Sequence, residues 1–174
     1  MTDRKGGGSL GFGSAEIEKS VRALKKIDFE LAYLALLTHE GLKPLSRWEK
    51  ELDDGGLGLL RQMGLLTKQV RRTAKTGREI VETVFSRTPA YIQLYEHCFS
   101  DTPIDKSAQT QRFEGFLFGY PPCCVSQFIS RPYAPNGLNA QEQEILFHWA
   151  CKDCKITPLL ARSYASAHAL ISNC

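Results

Sequence analysis

Residues 65–86 read LLTKQVRRTAKTGREIVETVFS, and the class of the fold turns on them. The chain before this stretch spaces its apolar residues three and four apart, as helices do. Here the period changes. Val70, Ile80, Val81, Thr83, Val84 and Phe85 are β-branched or aromatic, and such side chains suit a pleated, half-buried surface. Lys75-Thr76-Gly77-Arg78 separates the two runs and supplies a glycine-bearing turn. The pattern predicts a β-hairpin, residues 65–73 against 79–86. With helical patterns on both sides, the chain reads as α+β, mostly α-helical with one central β-hairpin.

Toward the N-terminus, Ile17, Val21, Leu24, Ile27, Leu31, Leu34 and Ala35 keep a helical period. This predicts one helix from Ser14 to His39, with Ser14 as N-cap and Gly41 as stop. Ser46-Arg47-Trp48-Glu49 has the form of a capping box and predicts a short helix to about Leu52. Asp53 to Gly56 would break it, and Leu57 to Met63 would form another short helix. Toward the C-terminus, Thr88-Pro89 opens a helix to about Phe99. A loop at 101–103 precedes a helix from Asp105 to Phe118. Pro121-Pro122 opens a helix to Ser130. Asn139 and Glu142 form a capping box, so 140–150 should be helical. Thr157-Pro158 begins the last helix, to about Ser172.

The chain has 174 residues, 43% apolar and 24% charged, with a net charge of +3. That suits a globular domain with a real core and does not by itself demand a polyanionic partner. No apolar run is long enough for a bilayer, and MTDRKGGGSLGFGS lacks the apolar stretch of a secretory signal. The expected location is cytoplasmic, with no membrane partner. The expected organisation is a disordered tail at 1–13, a helical and hairpin part at 14–100, and a helical cysteine-bearing module at 101–174. The glycines of the tail have neither a preceding strand nor a following Lys-Ser/Thr, which excludes a phosphate loop.

The six cysteines stand at 98, 123, 124, 151, 154 and 174. In a reducing compartment, grouped cysteines point to metal or redox chemistry before disulfides. Pro122-Cys123-Cys124 and His148-Trp149-Ala150-Cys151-Lys152-Asp153-Cys154 are the two groups that matter. A Cys-x-x-Cys turn directs two sulfurs at one point, and zinc takes thiolates and imidazoles in a tetrahedron. His148 would lie one helical turn before Cys151 and face the same point. The candidate ligands are therefore Cys123, Cys124, His148, Cys151 and Cys154, holding zinc or, alternatively, an iron–sulfur cluster. Adjacent residues in a regular helix point about 100° apart, which leaves open whether Cys123 or Cys124 or both take part. Three ligands would leave a catalytic position on the ion; four would make it structural. A dithiol redox pair at Cys151 and Cys154, and plain burial of cysteine as a small apolar residue, are the other readings.

Gly119-Tyr120-Pro121-Pro122-Cys123-Cys124-Val125 resembles the Gly-Tyr-Pro-x-Cys-Cys-Val signature of an uncharacterised family, a domain of unknown function described mainly from archaea and also from bacteria. The resemblance is sharp over 115–128 and loose in the N-terminal half. It implies that the Cys-Cys turn is a family feature. It implies no reaction.

The hairpin carries Lys68, Arg71, Arg72, Lys75 and Arg78 with no acid among them. Two short helices before a basic hairpin resemble the order of a winged helix, whose wing touches phosphate backbones. The alternative function is thus a non-enzymatic module that binds nucleic acid or protein, with zinc only structural; a solvated hairpin pairing its arginines with Glu79 and Glu82 is the plainer reading. His97-Cys98 is a weaker ligand candidate. His39-Glu40 lacks the second histidine of a zinc protease. The spacing Pro-Cys-x-x-Cys with His-x-Glu upstream is absent, which excludes a nucleobase deaminase.

Overall fold

A computed structural model describes residues 12–174. All but the last two residues of the predicted tail lie outside the described residues. Of those two, Phe12 packs against the main core. The elements are α1 (Ala15–Ile27), α2 (Phe29–His39), β1 (Ser46–Trp48), α3 (Asp54–Gln62), β2 (Leu66–Thr73), β3 (Glu79–Ser86), α4 (Pro89–Phe99), β4 (Thr102–Pro103), α5 (Ala108–Leu117), α6 (Pro122–Ser130), α7 (Ala140–Glu144) and α8 (Thr157–Ser172). The protein is α+β and mostly helical. The hairpin forms as the sequence predicts and sits in the middle of a four-stranded sheet of order β1-β3-β2-β4. Its register runs from Leu66 opposite Ser86 to Thr73 opposite Glu79, while β4 joins β2 in parallel.

The expected first helix is two helices. Asp28 has extended backbone (φ −162°, ψ 138°); its N–H closes α1 on the Leu24 carbonyl, and its carboxylate accepts the Glu30 N–H to start α2. One Asp both ends and caps because its short acceptor competes with the helical ladder. α1 has an apolar stripe, whereas α2 is buried without a break from Leu31 to Thr38. A helix apolar all round belongs in the middle of a core.

The predicted helix at Ser46 is instead β1, paired with β3 from Ser46–Phe85 to Trp48–Thr83. The capping residues find other partners. The Ser46 hydroxyl lies 2.7 Å from the Thr38 hydroxyl, and Glu49 pairs with Arg47 at 3.0 Å. Asp53, expected to break a helix, caps α3 by accepting the Gly56 N–H at 2.8 Å. The order before the hairpin is therefore strand then helix, not two helices. The Asn139–Glu142 capping box forms, yet α7 stops at Glu144. The Gln143 side chain donates to the His148 carbonyl and accepts from the Ala150 N–H, and Asn136 donates to the Ala150 carbonyl. These bonds hold 145–150 as loop.

Among the described residues, two apolar clusters form the interior. The larger gathers α1, α2, α3, Trp48, Leu65 and Phe85 with Leu146, Ala150, Tyr164, Ala167 and Ile171. The smaller joins Leu45, Val70, Val84, Ile92, Tyr95 and Phe99 to Leu117 and Phe118. Both draw on chain from either side of residue 100. No described helix is long and apolar enough to cross a membrane.

Candidate metal centre

The first half of the site is the turn between α5 and α6. Gly119 has φ +72°, and a Cβ there would meet Pro44 Cδ at 2.6 Å; only glycine fits both demands. The Tyr120 N–H then bonds the Gly115 carbonyl at 2.8 Å, closing α5. Gly115 lets the helices touch, because a Cβ on it would lie 2.5 Å from Val125 Cγ2. Pro122 is the first residue of α6. The Pro121 carbonyl accepts the N–H groups of both Cys124 and Val125. Cys123 and Cys124 thus occupy the first turn of α6, Cys123 exposed and Cys124 buried.

The second half is Cys151-Lys152-Asp153-Cys154. Asp153 takes φ +60°, a left-handed value that Asp tolerates. It lets the Cys154 N–H turn back to the Cys151 carbonyl at 3.3 Å. This turn lies against the first turn of α6. The Cys151 N–H donates to Cys124 Sγ at 3.3 Å, and the Thr157 N–H donates to Cys154 Sγ at 3.3 Å.

The four sulfurs of Cys123, Cys124, Cys151 and Cys154 all lie within 4.8 Å of one another and form a group that could hold a metal ion. Cys154 Sγ is 3.6 Å from Cys123 Sγ and 3.5 Å from Cys124 Sγ. Segments with 26 residues between Cys124 and Cys151 meet at one point. Both adjacent cysteines reach it because the 151–154 turn sits across the start of α6, touching its exposed and buried flanks together.

The thiols differ in acidity. At Cys154 burial opposes ionisation, but the Thr157 hydroxyl and the N–H groups of Thr157 and Ile156 outweigh it and hold the thiol at about 6. Burial pushes Cys124 up, and pushes Cys151 up strongly with help from the neighbouring thiols of Cys123 and Cys124. A cation arriving among these groups would displace protons from the cysteines that keep them.

His148 is placed beside the sulfurs and not among them. Its Nε2 lies 3.0 Å from Thr157 Oγ1, which is itself 3.5 Å from Cys124 Sγ. Its Nδ1 is buried with no hydrogen-bond partner among the described residues. Burial and the charge of Lys43 lower the imidazole to about 4, so the ring is neutral at pH 7. Sequence reasoning put His148 a helical turn before Cys151; residues 145–150 are not helical, and the ring faces Thr157. Thr157 itself was read only as a helix start. A hydroxyl three residues after Cys154, at a helix N-terminus, was the available signal.

A cleft of about 220 Å³ runs along Cys124 and His148, walled by Phe118, Tyr120 and Phe147, with Arg47 and Glu114 on its polar side. Cys98 is exposed and is not part of the sulfur group.

The basic hairpin is mostly engaged within the fold. Arg72 is 2% exposed, lies 3.4 Å from Glu114 and 3.8 Å from Glu82, and stacks over Phe99. It cannot reach a phosphate, which corrects its place among the candidate nucleic-acid contacts. Lys68 pairs with Glu96 at 2.6 Å, and Arg71 lies 3.9 Å from Glu79. Lys75 and Arg78 are exposed at the tip. Arg72 reads as surface from sequence because a β period alone does not tell which face meets α4 and α5.

Compared with known proteins, the chain matches no family model, no curated protein and no solved structure.

Proposed function

We propose that the chain binds one zinc ion through Cys123, Cys124, Cys151 and Cys154, and that the ion fastens α6 to the start of α8. The carrying observation is the mutual spacing of the four sulfurs, all within 4.8 Å. A zinc–sulfur bond of about 2.3 Å in a regular tetrahedron implies sulfurs about 3.8 Å apart. Two of the separations, 3.5 and 3.6 Å, are close to that edge. An iron–sulfur cluster interposes a cage of iron and sulfide and spreads its cysteines wider than one ion does. Four thiolates fill the tetrahedral shell and leave no position for a substrate, which favours a structural ion over a Lewis-acid catalyst. The N–H groups of Cys151 and Thr157, aimed at two of the sulfurs, offset the negative charge of a tetrathiolate. The likeness of Gly119–Val125 to the Gly-Tyr-Pro-x-Cys-Cys-Val signature fits this reading: its glycine makes the turn, its proline opens the helix, and its cysteines supply two ligands.

Elemental analysis of the purified protein, with an absorption spectrum, tests the proposal. The expected result is one zinc per chain and no visible bands, with cobalt replacing zinc to give tetrahedral thiolate absorption. Brown protein with iron and sulfide would replace zinc by a cluster. Protein that holds no metal and takes none up on titration would overturn the metal reading.

A further inference from the structure

Lys43 follows the Gly41 turn at the end of α2 and is 2% exposed. Its Nζ donates to the Phe118 carbonyl at 3.0 Å. Three rings surround it, with centroids 4.7 Å (Tyr120), 5.2 Å (Phe147) and 5.8 Å (Phe118) from Nζ. No carboxylate among the described residues pairs with it, and the charge that lowers its proton affinity is that of another cation, Arg47. The backbone around it is fixed. The Lys43 N–H bonds the Leu37 carbonyl, the Pro44 carbonyl accepts the Ser86 hydroxyl, and Gly119 lies so near the Pro44 ring that no Cβ would fit there. The side chain also lines a cavity of about 350 Å³, distinct from the cleft beside the cysteines though sharing the wall of Phe118, Tyr120 and Phe147.

We propose that Lys43 is a nucleophilic amine that condenses with a small aldehyde or ketone admitted to this cavity, forming an imine. The proposal does not depend on the metal. An amine in an apolar cage beside a second cation is in the setting that frees its lone pair. Burial, and then the charge of Arg47, lower it to about 7. The other charged groups facing the cavity are Asp28 and Glu30 at the start of α2, Glu49 and Lys50 after β1, and His148 lies behind the aromatic wall. In the reaction the Nζ lone pair attacks the carbonyl carbon, a C–N bond forms, and the carbonyl oxygen takes a proton. The C–O bond then breaks, water leaves, and the remaining N–H proton is given up. No electron donor or acceptor is needed.

Trapping with propanal and cyanoborohydride, read by peptide mass spectrometry, tests the assignment. The exposed Lys106 in the same sample is the reference, so the pH dependence of the reductant cancels. At pH 7 about half of the Lys43 amine is neutral, against roughly one part in 2,500 for an ordinary lysine. The expected result is alkylation of Lys43 at least tenfold faster than Lys106 at pH 7, with that ratio falling as pH rises to 10. Lys43 alkylated no faster than Lys106, or only in urea, would overturn it.

Discussion

Replacing Lys43 by Met should stabilise the protein at neutral pH, although it removes a hydrogen bond and three cation–ring contacts. The folded chain lowers Lys43 from 10.5 to about 7, chiefly by burial. Between those two values the unfolded chain holds the proton and the folded chain releases it, so wild-type stability climbs as pH rises through that window. At about 1.4 kcal/mol per tenfold, the whole displacement is worth about 5 kcal/mol, of which about 4 still weighs on the folded state at pH 7. Met fills a similar volume without the charge. Against this, the Phe118 carbonyl loses its donor, which costs about 1–3 kcal/mol. The net gain at pH 7 is therefore about 1–3 kcal/mol. Near pH 10.5 the charge penalty is gone and the variant becomes the less stable of the two. Urea unfolding of both proteins at pH 7, 8, 9 and 10, at equal metal loading, reads the difference; cysteine titration is common to both and drops out. A variant less stable than wild type at pH 7, or a difference that does not move with pH, refutes the reasoning.

If the proposed zinc centre is right, Cys151→Ser should bring bound metal from one ion per chain to near zero, and chelation of wild type should lower its melting temperature toward that of the variant. Gly115→Ala places a methyl group 2.5 Å from Val125 Cγ2 and should cost about 1–3 kcal/mol by overpacking; adding Val125→Ala should recover part of that in a double-mutant cycle. Arg72→Ala removes one of the two cations beside buried Glu82, leaving it Arg47 at 4.0 Å and the Tyr95 hydroxyl, and should cost up to about 3–5 kcal/mol in chemical denaturation. Lys75→Ala with Arg78→Ala, at the solvated tip, should change stability by less than about 0.5 kcal/mol.

The parts legible in the sequence were those that local chemistry decides. The hairpin, the proline-led starts of α4, α6 and α8, and the Asn139 box each depend on a few neighbouring residues. The break at Asp28 was hidden because the apolar spacing runs on from Ile27 to Leu31 without a change of period. β1 was misread because Ser-x-x-Glu suits a capping box only if no strand edge is waiting, and β3 offers one. β4 is two residues long, too short to show a period. In the site, Cys-x-x-Cys announces itself through one tight turn. The meeting of Cys123 and Cys124 with it depends on how α5, α6 and the 145–150 loop pack, which no local spacing contains. His148 was misplaced by the same loop: three residues amount to one helical turn only where there is a helix.

The all-round apolar character of α2 bears on how the protein is made. Tyr33 donates to the carbonyls of Ile145 and Tyr164, and α8 covers the flank of α2 that carries it. On a ribosome α8 emerges more than a hundred residues after α2. During that interval α1, β1 and β3 shield part of α2 while the flank that meets α8 stays greasy and uncovered, so the nascent chain calls for a chaperone's protection until its last helix arrives.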